Sequence, residues 1–229
     1  MKVKLFWYRT QKNFHTYIDN YLSGKIHFSH WKDLNDPMEG YFAYYPQRDT
    51  IDDLLSEKRN FKVCCFSNNY SNILLWSHYA DSHKGVCLEY EIETDRLSED
   101  IQYEIIQYSR KIPQIDISPD TKEQAVYCLS HKLNVWKYEK ERRLLSYNSS
   151  DDNVAVDRFG RFVSIILGFR FFPSFGESNT ESSKITKEIV EHLKSHKSNQ
   201  PNFEFYKVKE ISMYGNIKRC KIKLEELEV

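Results

Sequence analysis

Residues 61–92 read FKVCCFSNNYSNILLWSHYADSHKGVCLEYEI, and this stretch decides the fold. Phe61–Ser67 is an apolar run that predicts a buried strand, and the polar Asn68–Ser71 after it predicts a turn. A helix is expected over residues 72–84, because its apolar residues recur at helical spacing and Gly85 fits the position after a helix end. Val86–Ile92 alternates apolar and polar side chains, which predicts a second strand.

The same reasoning, applied outward from this stretch, predicts further strands and helices in no regular order. The expected strands are Lys4–Arg9, Lys25–His30, Gln102–Ser109, Arg161–Phe169, Phe203–Ile211 and Ile217–Leu224. The expected helices are one after an N-cap at Asn13, one from Thr50 with a capping box to Asp53, and those over Thr121–Leu133 and Lys184–Lys197. Glu139–Tyr147 is interpreted as a strand or as a short helix passing into one. Because no βαβ pattern repeats, the prediction is an α+β fold in one domain, 1–229, with mostly antiparallel mixed sheets packed with helices.

The composition excludes several classes of protein. The chain has 229 residues, of which 40% are hydrophobic and 29% charged, so it can bury a core and is not wholly disordered. Its 33 basic and 33 acidic residues balance, which argues against a surface dominated by nucleic-acid or membrane attraction. The longest nearly unbroken apolar run, Phe162–Phe169, is far shorter than the ~20 residues of a membrane helix. No glycine-rich phosphate-binding motif is present.

The cysteines and the first residues predict a reduced, cytoplasmic protein. The five cysteines show no CxxC spacing and their number is odd, which fits neither a disulfide framework nor a zinc module. The first residues lack the apolar core of a signal peptide. No disulfide is therefore expected, and Cys64 and Cys65 should face opposite sides of their strand.

The segment Trp136–Arg143 (WKYEKERR) carries the sharpest local pattern. On a strand, Glu139, Glu141 and Arg143 would share one face, where two carboxylates and a guanidinium could stabilise a developing cation or hold a hydroxyl-rich substrate. The alternative is a solvated charged face with pairs such as Glu139 with Arg143, which is the more common role of charge runs.

Other candidate residues have an equally plain structural interpretation. His78 could serve as an acid or base in the segment Trp76–Ala80, or it could simply be a satisfied hydrogen-bonding residue beside core aromatics. His78 and His83 are five residues apart, which is poor spacing for chelation, and no metal site is expected there. Asp36 and Glu39 could bind a cation, but an Asx turn is the better default for that loop.

The order of these segments resembles a bacterial family catalogued as domain of unknown function 2971. The resemblance rests on Tyr8-Arg9, on LNDPMEG (34–40), on CFS (65–67), on LWSHYA (75–80) with GVCL (85–88), on the WKYEKERR segment and on ILG (166–168). It extends from residue 4 to about residue 215. The family name carries no biochemistry.

The pattern also resembles the Arg–Ser–Glu class of the ADP-ribosyltransferase superfamily, which implies an ADP-ribosyltransferase-like fold and NAD as the substrate. By this resemblance Arg9, next to Tyr8, would hold the NAD phosphates, and Ser67 would order the nicotinamide-ribose side. Glu141 would bind the ribose 2′-hydroxyl and Glu139 would orient the acceptor. The remaining contacts to NAD are assigned to Trp76, His78 and Tyr79, with Tyr79 or Trp31 stacking on the nicotinamide. The products would be an ADP-ribosylated protein or nucleic acid, or hydrolysed NAD, in a toxin or phage-defence system.

Two alternatives stay open. One is a non-enzymatic module that binds a protein or nucleic-acid partner through surface tyrosines and tryptophans. The other is a metal-dependent nuclease that holds Mg²⁺ between Asp36, Glu39, Glu139 and Glu141, which would need these carboxylates close together. A membrane partner is not expected.

Overall fold

A computed structural model of the chain describes residues 1–44, 51–115, 121–173, 180–197, 203–213, 215–223, 225 and 227. The helices are α1 (Gln11–Thr16), α2 (Ile18–Leu22), α3 (Ile51–Arg59), α4 (Ile73–Tyr79), α5 (Thr121–Leu129) and α6 (Glu181–Lys197). The strands are β1 (Lys2–Arg9), β2 (Lys25–His27), β3 (Ser29–His30), β4 (Phe61–Ser67), β5 (Val86–Glu93), β6 (Ile101–Ile105), β7 (Gln107–Ser109), β8 (His131–Leu133), β9 (Glu141–Tyr147), β10 (Asn153–Ala155), β11 (Gly160–Leu167), β12 (Glu204–Ile211) and β13 (Ile217–Lys221). Short 3₁₀ helices cover Trp31–Asp33, Thr94–Arg96, Asn134–Glu139 and Val156–Arg158.

The predicted α+β fold class is confirmed, since helices and strands mix along the chain and most strand pairs are antiparallel. The chain divides into two compact units between which it alternates. Unit 1 comprises Met1–Lys25, Asn68–Glu93 and Ala155–Val229, and unit 2 comprises Ile26–Ser67 and Thr94–Val154. The expectation of a single domain over 1–229 stays a prediction.

The sheet of unit 1 is built on β5, which is antiparallel to β1 on one side and to β11 on the other. β12 then pairs with β11 in parallel, and β13 is antiparallel to β12. The parallel pair needs a crossover, and α6 lies between its two strands in the chain. The side chain of Gln11 on α1 donates to Thr186 Oγ1 of α6 at 2.6 Å, which fixes these two helices to each other.

The sheet of unit 2 consists of antiparallel strands around β4 and β9. β4 pairs with β9 over its whole length and with β3, while β6 pairs with the other edge of β9. β7 and β8 form a separate parallel pair. Helices α3 and α5 contribute to the unit's apolar core with β4 and β9, and its buried members include Leu54, Phe61, Val63, Leu129 and Leu145.

Several predicted boundaries are confirmed and others are wrong for identifiable reasons. β4 has the predicted bounds, and β1 starts two residues before the predicted Lys4. Thr10, rather than Asn13, caps α1, since the Thr10 hydroxyl accepts from the N–H of Asn13 at 3.1 Å. The helix expected through residue 133 ends at Leu129 and gives way to β8. The capping box proposed at Thr50 lies outside the described residues.

The helix expected over 72–84 starts where predicted but stops early. Asn72 caps α4 through its side chain, which accepts from the N–H of Leu74. The chain leaves the helix after Tyr79, and Asp81, Ser82 and His83 all have positive φ, at 48°, 52° and 71°. Three successive left-handed residues reverse the chain direction, so the helix cannot continue to residue 84.

The cysteines behave as expected. None of the five, all of which lie in described ranges, forms a disulfide. Cys65 packs with Phe61 and Val63 on one face of β4, and Cys64 lies on the other face, where it is also buried. In the described part of the chain, no helix combines the length and apolar character needed to cross a membrane.

Candidate functional site

Unit 2 contains five charged side chains buried together, which we call the charge cluster: Glu39, Lys132, Glu139, Glu141 and Arg143. Their side chains are between 0% and 6% exposed. Two of the three glutamates come from the pattern that the sequence analysis singled out. The interpretation of that pattern as a solvated charged face is therefore wrong.

Arg143 makes the most contacts in the cluster. Its Nη1 and Nη2 donate to the two carboxylate oxygens of Glu39 at 2.6 and 2.8 Å. Its Nε donates to Glu141 Oε1 at 2.6 Å, and Nη1 also reaches the carbonyl of Leu129 at 2.6 Å. A guanidinium bound on both edges by carboxylates is held in one orientation, because its donors form a rigid fork.

Lys132 connects the remaining carboxylate to the cluster. Its Nζ lies 2.8 Å from Glu139 Oε2, 2.8 Å from Glu141 Oε2 and 3.9 Å from Glu39 Oε2. Lys132 is not among the residues that the sequence predicts for a site. It belongs to β8, in a segment predicted as the end of a helix, and a single lysine in such a segment gives no signal that it will be buried.

The backbone brings Glu139 and Glu141 to the same ammonium in an unexpected way. Glu139 ends the 3₁₀ helix Asn134–Glu139, and Glu141 is the first residue of β9. Between them, Lys140 has φ 47° and ψ 45°, the left-handed conformation. Glu139 and Glu141 therefore do not share a strand face, as they would if the whole segment were a strand, because this turn orients the two carboxylates.

Ser67 lies next to the cluster. It is the last residue of β4 and is the direct register partner of Glu141 on β9. Its hydroxyl donates to the carbonyl of Glu139 at 2.7 Å. The hydroxyl of Tyr108 accepts from the N–H of Glu141 at 2.8 Å, which fixes the start of β9. Three sequence-predicted residues, Ser67, Glu139 and Glu141, therefore meet in one place.

Glu141 and Lys132 hold each other ionised. Burial would raise the pKa of Glu141, but Arg143 and Lys132 outweigh it and keep that pKa below its usual range. Burial would likewise lower the pKa of Lys132, but Glu141 and Glu139 raise it above the ordinary value. Burial raises the pKa of Tyr108 to about 12, so its hydroxyl stays protonated near neutral pH.

Glu39 enters the cluster from the LNDPMEG loop. Asp36 there forms the expected Asx turn, in which its Oδ1 accepts from the N–H of Met38 at 2.9 Å. Glu39, Glu139 and Glu141 do come close together, as the nuclease alternative requires, but they surround the ammonium of Lys132 and the guanidinium of Arg143. A Mg²⁺ ion between them would have to displace a cation that is already there.

Arg9 belongs to unit 1, at the end of β1. Its guanidinium lies 4.6 Å from the ring centroid of Trp7 and 5.8 Å from that of Tyr21, as in cation–π contacts. Its Nε is buried and has no hydrogen-bond partner among the described residues. A cleft shared by Arg9, Ser67 and Glu141 was expected from the resemblance and stays a prediction.

The aromatic residues assigned to NAD contacts differ in their surroundings. Trp76 is 0% exposed, its Nε1 donates to the Tyr70 carbonyl at 2.7 Å, and it packs edge-on against Tyr8. Tyr8 is also buried and donates to the carbonyl of Asn69 at 2.8 Å. Trp76 therefore has the core role that its structural interpretation predicts. In contrast, Tyr79 is half-buried and His78 is exposed.

Trp31, the alternative stacking residue, lies in unit 2 with one ring face covered. The Nζ of Lys58 is 4.0 Å from its ring centroid, and its Nε1 donates to the carbonyl of Lys58 at 3.0 Å. A nicotinamide on that face would have to displace the lysine.

The comparisons with known proteins yield one match. Residues 75–144 match the family model described as Protein of unknown function (DUF2971). This part of the chain is therefore similar to that family, and it contains both LWSHYA and WKYEKERR. The wider resemblance over residues 4–215 and the one to ADP-ribosyltransferases stay predictions. No curated protein and no solved structure matches the chain.

Proposed function

We propose that this chain is an ADP-ribosyltransferase-like enzyme that uses NAD as its substrate in the cytoplasm. The observation that carries the proposal is the surplus negative charge of the charge cluster. Three carboxylates face two cations, so the cluster carries one net negative charge when all five groups are ionised. Breaking the bond between nicotinamide and ribose creates an oxocarbenium-like ribose, and fixed negative charge in a water-poor site stabilises such a cation.

In this proposal Glu141 binds the ribose 2′-hydroxyl and Glu139 orients the acceptor. Nicotinamide leaves with the bonding electron pair, the acceptor's nucleophile bonds to the ribose carbon, and the acceptor loses a proton. With water as the acceptor, the same steps amount to NAD hydrolysis. The register pairing of Ser67 with Glu141 and the hydrogen bond from Ser67 to the Glu139 carbonyl support a common role for the three residues.

Arg9 is assigned to the NAD phosphates. The orphaned, buried Nε of Arg9 supports this role, because a buried N–H without a partner is costly and a phosphate oxygen is a strong acceptor for it. A place in a bacterial toxin or phage-defence system belongs to the same proposal and depends on the acceptor.

The first test is nicotinamide release from NAD by wild type, Glu141→Gln and Arg9→Ala. Glu141→Gln should lower the rate on the order of 10²–10³, the usual cost of losing one preorganised electrostatic contact. Arg9→Ala should weaken NAD binding, because an arginine–phosphate contact is already made in the ground state. Glu139→Gln should reduce transfer to an acceptor more than NAD hydrolysis.

Stability has to be separated from activity in this test. Glu141→Gln also removes a charged partner from Arg143 and Lys132, so it should destabilise unit 2. The control is Glu89→Gln in unit 1, which likewise disrupts a buried glutamate, here bound by Arg219, Ser164 and Lys4. The rates should be measured below the thermal midpoints of both variants. Each rate is then divided by the concentration of folded protein, which circular dichroism gives. If Glu141→Gln and Glu89→Gln lose the same rate, Glu141 has no catalytic role.

A second candidate function is the non-enzymatic binding module. It is favoured by the full pairing of Arg143, which is typical of a structural ion-pair network. The tryptophans expected on its surface are not there, since three are buried and Trp136 is half-buried, but Tyr41 and Tyr44 are 55% and 51% exposed. Three results together would establish this function instead. The chain would neither release nicotinamide nor bind NAD, it would bind a labelled single-stranded oligonucleotide, and Tyr41→Ala would weaken that binding.

A further inference from the structure

Two histidines and an aspartate of unit 1 form a group separate from the residues proposed to act on NAD. His192 and His196 are one turn apart on α6, and their rings are stacked with centroids 6.4 Å apart and planes at 13°. Asp19 of α2 faces them, and its Oδ1 lies 2.8 Å from His192 Nε2. One ligand atom from each residue can be chosen so that all three lie within 4.8 Å of one another.

We propose that Asp19, His192 and His196 bind a divalent transition-metal ion, with Zn²⁺ as the ion that fits the donor set. Two imidazole nitrogens and one carboxylate oxygen are a common protein ligand set for zinc. Tetrahedral bonds of about 2.0–2.2 Å place donor atoms roughly 3.3–3.6 Å apart, so the present spacing closes to that geometry by side-chain rotation.

The sequence carries a signal for this site. Histidines four residues apart on a helix project from the same face and can bind one ion, as in metalloprotease motifs. His192 and His196 have this spacing, whereas His78 and His83 are five residues apart. Asp19 gives no signal by itself, because it is 173 residues away from His192 and only the fold brings it there.

The unsatisfied nitrogen of His196 supports the site independently. Its Nε2 is buried and lacks a hydrogen-bond partner within the described ranges. A buried polar atom without a partner costs free energy, and a bond to a metal ion would remove that cost. His192, in contrast, already contacts the Asp19 carboxylate, which the ion would then share.

The exposure of the group indicates an open coordination site. The Asp19 side chain is 79% exposed and that of His192 is 35% exposed, so water can reach the ion from the side of Asp19. A site with three protein ligands and water in the fourth position is the open form of zinc coordination. Because the ion would link α2 to α6, it would bind the folded chain and not the unfolded one, and should therefore stabilise unit 1.

The experiment is a titration of the tag-free full chain, stripped with EDTA and dialysed, with ZnCl₂ in an isothermal calorimeter. One Zn²⁺ should bind per chain, and His192→Gln, His196→Gln and Asp19→Asn should each weaken binding by at least about tenfold. At a Zn²⁺ concentration 100 times the dissociation constant, the thermal midpoint of the wild type should rise by about 5–10 °C. The double variant of His192 and His196 should show no such rise.

His15→Gln is the matched control. His15 lies on α1 with its Nε2 3.1 Å from Glu188, which precedes His192 by one turn of α6, so it is a neighbouring histidine–carboxylate pair outside the proposed ligands. Its variant should bind Zn²⁺ as the wild type does. The proposal is overturned if the wild type shows neither heat of binding nor a midpoint shift, or if His15→Gln weakens binding as much as His196→Gln. Asp19→Asn keeps the test decisive if a histidine variant misfolds, because that side chain is largely exposed.

Discussion

At the scale of single residues, Arg143 determines whether the charge cluster can exist. Its side chain is 0% exposed, and its donors reach Glu39, Glu141 and the Leu129 carbonyl. Without the guanidinium, Glu39 and Glu141 would share the single ammonium of Lys132 with Glu139. Removing one partner of a buried ion pair is much more costly than the net contribution of the pair suggests, because the remaining charge stays desolvated.

Arg143→Met should therefore lower the free energy of unfolding by about 3–5 kcal/mol. The control is Arg161→Met, because the Arg161 side chain is 64% exposed and makes a surface pair with Glu91 at 3.2 Å. A surface pair contributes only about 0–1 kcal/mol. Urea unfolding followed by circular dichroism measures both, and equal losses would contradict a stabilising role for the buried pairing.

At the scale of elements, the sequence predicted strands better than helix ends. Apolar runs and alternation located β4, β1 and β5, because the side-chain period of a strand is visible directly in the sequence. The end of α4 and the turn at Lys140 depend on residues with positive φ that are not glycine. Residues other than glycine rarely adopt positive φ, so local propensity does not predict it at these positions.

The candidate site was predictable to a similar extent. The sequence identified Glu39, Glu139 and Glu141 as candidate functional carboxylates. The sequence did not show that these carboxylates come together around Lys132 and Arg143. Glu39, for example, is 104 residues away from its partner Arg143. Nothing in the spacing of these residues indicates that the cluster would be buried and paired, because that follows from the packing of β8 and β9 in unit 2.

The left-handed turn Asp81–His83 predicts how a substitution in a short connecting segment changes stability. Ser82 is exposed with φ 52°, a conformation that costs an ordinary residue about 1–2 kcal/mol and glycine almost nothing. Ser82→Gly should raise the free energy of unfolding by roughly 0.5–1 kcal/mol, after allowance for the greater chain entropy of glycine. Ser77→Gly inside α4 is the control and should lower it by a similar amount. If the free energy of unfolding decreases in both variants, the left-handed turn carries no strain.

At the scale of the whole molecule, a chain with zero formal charge contains buried charge in both units. In unit 1, Glu89 is 1% exposed and accepts from Arg219, Ser164 and Lys4 at 2.8, 2.8 and 3.0 Å. Burial would raise its pKa, but these hydrogen bonds lower it below the ordinary value. In unit 2, the pKa of Glu141 is lowered by Arg143 and Lys132. Folding therefore lowers the pKa of a buried glutamate in each unit.

These shifts predict how stability depends on pH. An unfolded glutamate titrates near pH 4.3, so a carboxylate with a lower pKa in the folded state stabilises the fold above that pH. The contribution is lost as the pH falls through the folded pKa. The contribution of Lys132 to stability depends on pH in the opposite direction, because its pKa is raised in the folded state. This contribution is complete below about pH 10.4 and is lost as the pH rises through the folded pKa. The stabilising contributions of Glu89, Glu141 and Lys132 should stay constant between these limits, and those of the two glutamates should decrease below about pH 4.

Glu89→Gln tests the acid side of this dependence. Glutamine cannot titrate, so the difference in the free energy of unfolding between pH 7 and pH 3 should be smaller in the variant than in wild type. The variant should also be less stable at pH 7, because Arg219 loses its charged partner. Glu99→Gln, at an exposed position, should reproduce the wild-type difference. Urea unfolding at the two pH values measures all three proteins, and an unchanged difference in Glu89→Gln would mean that this buried glutamate does not contribute to acid unfolding.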